Sequence, residues 1–544
     1  MPTPAPVPDT PPAPPASVPR RAFLRRRIGP GTGVLAVPLA FVALGVAVPL
    51  GYLLVRALDA DSSETVALVV RWRNARLLLN TVTLSVGVLA FTTVIAGPMA
   101  WWAARGGPWL RRTVTLAGVL PLAIPGYVMA TALLGATGIG GLLSTLVGTP
   151  LPRPSGYWGS LLALGLTTAP YLFLNLRSAL LGLDPALEEA GRSLGLRRRE
   201  AVRTVVIPQL RPAYLAGSLL VVLHVLGDFG VVSLMRFETF SYAIYLQYAA
   251  AFDRVYAAWL ALMLLGLTGA LLWGESRLLR GRAFARTSSG APRRAEPVRL
   301  GPWRWAAMAH VGTVALVGVV LPVATLFHWT FREADPATWA RLGEAMVDSV
   351  GAAAPAAVLA AVLALAVAWV SVRRPSRGSR FLERVAYLGY ATPPLAFALA
   401  LVVFSLRAAP VLYQTLALLV GAYALHFLAE AIGPVRSALY QAPPRLEEAA
   451  RALGRGPVRA FAETTLPLMR RGLGASAALV FLSALKELPL TYLLSPLGFE
   501  SLAVGMWGAA SESLFGVAAP YGLAIVGVSL ALVALLLRSE AERP

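Results

Sequence analysis

The sequence predicts an all-α, polytopic membrane protein with about twelve transmembrane helices in two parallel six-helix repeats. Three observations predict it. The 544-residue chain is 57% hydrophobic and 14% charged, more apolar than one soluble core can hide. Windows of 20 or more residues nearly free of charge recur along it, the length needed to span hydrocarbon as a helix. Two polar segments between such windows, Arg177 to Pro208 and Arg436 to Pro467, read as near copies at a constant offset of 259 residues; 15 of the 35 positions from Arg177 to Arg211 are identical.

Taken in order, the windows cover roughly 34–57, 79–104, 114–136, 157–180, 213–235, 255–274, 305–328, 349–371, 384–406, 411–433, 473–495 and 518–538. Pro121, Pro125, Pro393 and Pro394 mark two of them for a break or kink, tolerable where neighbouring helices satisfy the freed carbonyls. Residues 1–30 form a basic N-terminal tail, rich in Pro and Ala at its start and expected to be disordered. Residues 31–275 form a first module, 276–304 a cytoplasmic linker, 305–538 a second module and 539–544 a cytoplasmic tail. Arg20-Arg21-Ala22-Phe23-Leu24 superficially matches a twin-arginine export signal. The apolar run after it spans a bilayer without a clear small-residue cleavage site, so it reads as an uncleaved anchor.

The repeat extends beyond the polar segments. Asn80 to Trp101 aligns with Asp348 to Trp369 at an offset of 268, and Ala-Ile-Pro-Gly at 123–126 sits opposite Ala-Thr-Pro-Pro at 391–394. The second half therefore lacks nine residues, assigned to the outer loop that holds Gly138 to Gly156. Six spans per module is an even number, so both copies insert with the same orientation, related by an axis along the membrane normal. A pathway on that axis is the natural site for transport.

The formal net charge of +21 would suggest nucleic acid for a soluble protein. Here the arginines sit between spans on alternate sides. Arg192, Arg197 to Arg199 and Arg203 lie in the first repeated segment, eight arginines lie from Arg277 to Arg304, and 497–517 has none. By the positive-inside rule both termini, the linker and both repeated segments are cytoplasmic, in a multi-pass protein of a bacterial inner membrane in contact with lipid. Nucleic-acid binding is set aside. The absence of cysteine excludes disulfides, Fe–S clusters and thiolate zinc sites.

Within the repeated segments, Pro185 suits a first helical turn, acidic residues follow where they favour a helix N-terminus, and Gly195 ends the helix. Leu187, Ala190 and Leu194 offer apolar surface while the glutamates and arginines face water. A second short helix is expected to stop near Pro208. The second copy repeats this with Pro444, Glu447, Glu448, Ala449, Gly454 and Pro467. A helix-Gly-helix on the cytoplasmic face is a docking shape.

Glu-Ala-Ala followed by Gly, then Ile/Leu-Pro about a dozen residues later, resembles the cytoplasmic coupling loop of binding-protein-dependent ABC importer permeases. The first copy departs slightly, with Gly191 where the pattern has its second alanine; the second copy matches fully. The resemblance implies that Glu188, Glu189, Ala190, Gly195 and Pro208, with Glu447, Glu448, Ala449, Gly454 and Pro467, form two ATPase-coupling loops. It also implies two copies of a cytoplasmic ATP-binding subunit and an extracytoplasmic substrate-binding protein as partners. The chain looks closest to the fused, two-module permeases of the ferric-iron class, through Gly227-Asp228-Phe229-Gly230-Val231-Val232 and Lys486-Glu487-Leu488-Pro489-Leu490-Thr491. Permeases for thiamine, polyamines or an inorganic oxyanion share the architecture. A secondary transporter also uses twelve spans in two halves, but would not need duplicated coupling loops.

No enzyme is expected. A phosphate-binding loop needs Gly-Lys-Ser/Thr, and Lys486, in Leu-Lys-Glu, is the only lysine. No Ser-His-Asp or metal-ligand spacing appears, so no cofactor or resident metal is assigned. The Gly-rich run at 135–141 reads as packing or turn glycines, and His224, His310, His328 and His426, unrelated by the repeat, as hydrogen-bonded structural residues. Asp228 and Glu487 are equivalent at the 259 offset, each about fifteen residues into an apolar run, roughly 20 Å along a helix. A carboxylate at that depth is costly and normally faces a bundle interior or watery cavity. Two readings stand: the pair lines a translocation pathway, or Glu487 pairs with Lys486 while Asp228 caps a broken helix.

Overall fold

A computed structural model of the chain describes residues 33–58, 67, 69–279 and 301–541. The tail at 1–30 and most of the linker at 276–304 lie outside the described residues, which contain helices and no strand. Among the described residues, nine helices are long and apolar enough to cross a membrane, including Leu35–Ala57, Trp72–Arg105, Gly156–Gly182, Arg199–Gly227, Arg254–Leu278, Trp303–Glu333 and Pro336–Arg373. Three further apolar pairs are bent: Pro108–Ala123 with Gly126–Ala136 by 95°, Arg377–Ala391 with Pro394–Ala408 by 107°, and Leu416–His426 with Leu428–Gln441 by 57°. With each pair as one span, the count is up to 12.

The first two bends fall at Pro125 and at Pro393-Pro394, where proline supplies no amide and the residue before it is pushed to extended backbone. The third turns at Phe427 without a proline. Its repeat counterpart, Gly156–Gly182, is unbroken, and there Thr167 and Thr168 donate back to the carbonyls of Ala163 and Leu164.

Two expectations need correction. The windows at 213–235 and 473–495 are not single spans: the long helices end at Gly227 and Leu485, and short helices Gly230–Leu234 and Pro489–Leu494 follow. The carboxylates at the breaks supply the reason. Asp228 Oδ1 accepts from the Val231 amide at 2.8 Å and Glu487 Oε1 from the Leu490 amide at 3.2 Å, satisfying donors that a new helix start leaves bare. Conversely, no short helix stops near Pro208 or Pro467. The chain runs unbroken as Arg199–Gly227 and Pro457–Leu485, with a π turn at Val202–Val206 and at Phe461–Thr465 just before each proline. The wider turn makes room for a pyrrolidine ring that would break a regular α-helix.

The modules are interlocked. The first helix, Leu35–Ala57, packs on Arg377–Ala391 and Pro394–Ala408 of the second module, while Trp303–Glu333 packs on Pro108–Val119 and Gly126–Ala136 of the first. Within the first module, Trp72–Arg105 lies along Gly156–Gly182, with Gly165 directly under Phe91. Within the second, Pro336–Arg373 presents buried Ala353, Ala356, Ala360 and Ala364 to its neighbours. Small residues of this kind let helices approach closely in lipid, where packing replaces the hydrophobic drive.

A Cβ on Gly165 would fall 2.2 Å from Phe91 Cδ1. Gly165→Ala is therefore expected to destabilise the purified protein by about 1–3 kcal/mol, read as a lowered thermal-unfolding midpoint. An unchanged midpoint would contradict the close helix contact.

Candidate functional site

The helix breaks of both modules converge on one cavity of about 210 Å³. From the first module come Ile124-Pro125-Gly126 and Asp228-Phe229-Gly230; from the second come Pro394, Phe427 and Lys486-Glu487-Leu488-Pro489. Glycine allows this convergence. A Cβ on Gly126 would sit 2.8 Å from Val231, and one on Gly230 would sit 2.7 Å from Tyr127 and 3.0 Å from Leu488. The Tyr127 hydroxyl donates across the module boundary to the Lys486 carbonyl at 3.2 Å.

Asp228 and Glu487 both line this cavity. Of the second reading, the cap at Asp228 is present, whereas Glu487 accepts from the Leu490 amide in the same way and forms no ion pair with Lys486 among the described residues; both carboxylates also border the cavity. Glu430 and Lys486 line it too. Glu430 was not singled out from the sequence, because its counterpart at the 259 offset is the neutral Tyr171. Its position in the window at 411–433 was nonetheless the available signal, since an intramembrane carboxylate rarely lacks a purpose.

The cavity is asymmetric in a specific way. In the first module the Tyr171 hydroxyl and His224 Nε2 are 2.9 Å apart; at the equivalent positions of the second, Ser483 Oγ donates to Glu430 Oε2 at 2.7 Å. One cross-helix hydrogen bond is thus kept twice, through a phenol and an imidazole in one module and through a hydroxyl and a carboxyl group in the other. Gly227 likewise corresponds to Lys486. Of the four charged groups lining the cavity, three come from the second module.

The histidines divide. His310 Nε2 lies 3.3 Å from the Ile95 carbonyl and His328 Nε2 2.9 Å from that of Gly140, whereas His224 and His426 line the cavity. In the Gly-rich run, the Gly135 carbonyl accepts from Trp329 Nε1 at 2.7 Å, and Gly138 and Gly140 adopt positive φ.

Past the breaks, farther along the chain from the repeated segments, lies an aromatic layer drawn from both modules. Phe229 is 4.8 Å from Tyr245 and 5.1 Å from Trp507, and Tyr492 is 5.5 Å from Tyr245 and 5.3 Å from Trp507, between ring centroids. Trp507 Nε1 donates to Ser233 Oγ at 3.0 Å. Offset and edge-on ring pairs at these separations hold such a layer together.

The repeated segments fold as helices Pro185–Ser193 and Pro444–Ala452. The Asp184 side chain caps the first by accepting from the Ala186 amide. Gly195 and Gly454 follow at φ +91° and +83°, letting the amides of Leu196 and Arg455 reach back to the carbonyls of Gly191 and Ala450. Glu189, Ala190, Glu448 and Ala449 are exposed, and Leu194 and Leu453 at the tips are 86% and 84% exposed. Glu188 and Glu447 do not face water. Glu188 Oε2 lies 3.1 Å from Arg105 Nη1, and Glu447 Oε1 lies 3.8 Å from Arg373 Nη2 and accepts from Thr465 Oγ1 at 2.6 Å. Their arginine partners stand more than 70 residues away in sequence, outside any local pattern. Pro208 and Pro467 lie within the long helices that follow.

Two repeated helical modules around a shared, charged intramembrane cavity define a membrane transport subunit rather than an enzyme. The chain belongs to the family described as the binding-protein-dependent transport system inner membrane component, whose pattern matches twice, at residues 96–273 and 349–540. It is therefore an ABC importer permease, a multi-pass protein of the inner membrane. It is 29% identical over 501 residues to the Fe(3+)-transport system permease protein FbpB 2 of Haemophilus influenzae, covering 90% of this chain and 95% of that protein. Two relatives match 36% and 39% of this chain: a probable molybdenum ABC transporter permease of Haloferax volcanii, 31% identical over 203 residues and covered to 74%, and the sulfate transport system permease protein CysT of Salmonella typhimurium, 29% identical over 216 residues and covered to 77%.

If the aromatic layer closes the cavity, Trp507→Ala should open it. With a single cysteine at Thr168, in a chain that has none, labelling by a membrane-impermeant maleimide from the face opposite the repeated segments is expected to rise several-fold. An unchanged labelling rate would contradict the seal.

Proposed function

We propose that this chain is the complete membrane part of an ATP-driven importer for ferric iron, with both termini and both repeated segments cytoplasmic. Two copies of an ATP-binding subunit dock on the helices Pro185–Ser193 and Pro444–Ala452, and a substrate-binding protein delivers cargo to the opposite face. The exposed Leu194 and Leu453, with Glu189 and Glu448 beside them, offer an apolar tip rimmed by charge, suited to a cleft on another subunit.

The observation that carries the reading is the make-up of the cavity wall, where, among the described residues, the three carboxyl groups of Asp228, Glu430 and Glu487 stand against one lysine, Lys486. Carboxylate oxygens suit a hard cation. At an effective dielectric constant of ~20 and a separation of ~5 Å, each unit charge on a cargo interacts with each carboxylate by about 3 kcal/mol. That term favours a multiply charged cation and opposes an anion such as sulfate. The carboxylates are spread among breaks from both modules, and the described residues form no tight metal cluster. A passing ion is therefore attracted without being held in a deep well that would slow its release. Thiamine or a polyamine, also cationic, is the second reading that the same charge supports.

The test is uptake of radiolabelled ferric iron in cells lacking this gene. Wild type is expected to restore it, Glu430→Gln to lower it about tenfold, a loss of roughly 1.4 kcal/mol, and Tyr171→Phe at the equivalent position to leave it near normal. Equal effects of the two substitutions would contradict the cavity asymmetry, and restored uptake of thiamine or polyamine without iron would replace the cargo. In the same assay Gly195→Val with Gly454→Val, which forces β-branched residues into left-handed backbone, should abolish uptake while the protein still inserts. Normal uptake would remove the coupling role of the two loops.

A further inference from the structure

We infer that Arg105 and Arg373 are positioning residues that tie each coupling helix to the Trp72–Arg105 or Pro336–Arg373 helix of its own module. The first glutamate of each Glu-Glu pair then works inside the chain, and the second is the one presented to a partner. The inference rests on the coupling role given to the two loops under the proposed function.

Arg105 and Arg373 are the last residues of their helices and correspond at the 268 offset, whereas Glu188 and Glu447 correspond at 259. Two stretches that diverged in spacing have thus kept the same contact. The pairs are not solvated surface pairs of the kind that contributes little. The side chains of Arg105 and Glu188 are 7% and 12% exposed, and those of Arg373 and Glu447 are 15% and 20% exposed. Breaking a pair at that depth strands a charge. In the second module the arginine does double duty, because Nη2 also donates to the Ala442 carbonyl at 2.7 Å, fixing the chain just ahead of the coupling helix.

The mechanical consequence follows from connectivity. The first coupling helix is joined by the chain to Gly156–Gly182 and Arg199–Gly227 only, through segments that include the left-handed Gly195. The Arg105–Glu188 pair adds a third helix, which itself packs on both of the others. A push on the loop then moves three helices as one body towards the breaks at Gly126 and Asp228. Without the pair, the loop can tilt about its own ends and dissipate the push.

The test is a double-mutant cycle in proteoliposomes containing the full chain and its ATP-binding subunit, with iron moved per ATP hydrolysed as the readout, a ratio that a fall in protein yield leaves unchanged. Arg105→Gln and Glu188→Gln are each expected to lower the ratio about tenfold, and the double variant to lower it no further. A wild-type ratio in both single variants, or a multiplied loss in the double, overturns the inference. Should these variants fail to assemble, Arg373→Gln and Glu447→Gln at the more exposed pair give the same readout. Leu194→Asp with Leu453→Asp separates the two ideas: if the ATP-binding subunit stays bound and coupled in that variant, the docking assignment of the loop tips has failed, not the arginine tie.

Discussion

Placing carboxylates at mid-depth in a membrane is the constraint on which the rest of this structure depends. A charge there is tolerated only beside water, a counter-charge or hydrogen-bond donors. The chain supplies donors, a counter-charge and a cavity with room for water at one place. It breaks its helices so that bare amides at Val231 and Leu490 meet Asp228 and Glu487, adds Lys486, and gathers the breaks around a shared cavity. Irregular backbone at this depth is allowed because it is enclosed by protein or lines that cavity. The interlocked first helices and the small-residue contacts then act as a frame holding two broken halves together.

Duplication explains the frame, and divergence within it explains the chemistry. Both modules keep the short exposed helix of the repeated segment, the left-handed glycine after it, the arginine–glutamate contact and the capped break. What changed is the cavity wall: Tyr171 and His224 in the first module, Glu430 and Ser483 in the second, with Gly227 of the first corresponding to Lys486 of the second. The cavity takes one carboxylate from the first module and two, with Lys486, from the second, and the fusion of both modules into one chain fixes that arrangement in every molecule.

The spans, the repeat and the paired carboxylates were legible in the sequence because hydropathy and a constant offset are local or periodic signals. Asp228 and Glu487 stood out as charges in apolar windows that the repeat brought into register. The same comparison concealed Glu430, whose counterpart is uncharged. The break at Asp228 was legible only as one of two readings of a charge in an apolar window, and the break at Phe427 was not legible, because no proline or charge marks it and it turns where the chain lines the cavity. The inward turn of Glu188 depends on Arg105, and the crossing of each first helix onto the other module depends on shape, neither of which sequence spacing records. Pro208 and Pro467 were misleading for a related reason. Proline removes an amide donor and crowds the turn before it, and at these two positions a π turn relieves the crowding so that the helix continues.

The proposed drive of the cavity by helices Pro185–Ser193 and Pro444–Ala452 is measured most directly by distance, in a chain whose lack of cysteine leaves every label site free. Spin labels at Leu194→Cys and Leu453→Cys report the loop tips, and a second pair at Leu497→Cys and Phe252→Cys reports the opposite face. In the complex with its ATP-binding subunit, trapping the nucleotide-bound state should shorten the first distance and lengthen the second together. A loop distance that shortens while the opposite face stays fixed, or no change in either, would contradict the coupling of loops to cavity.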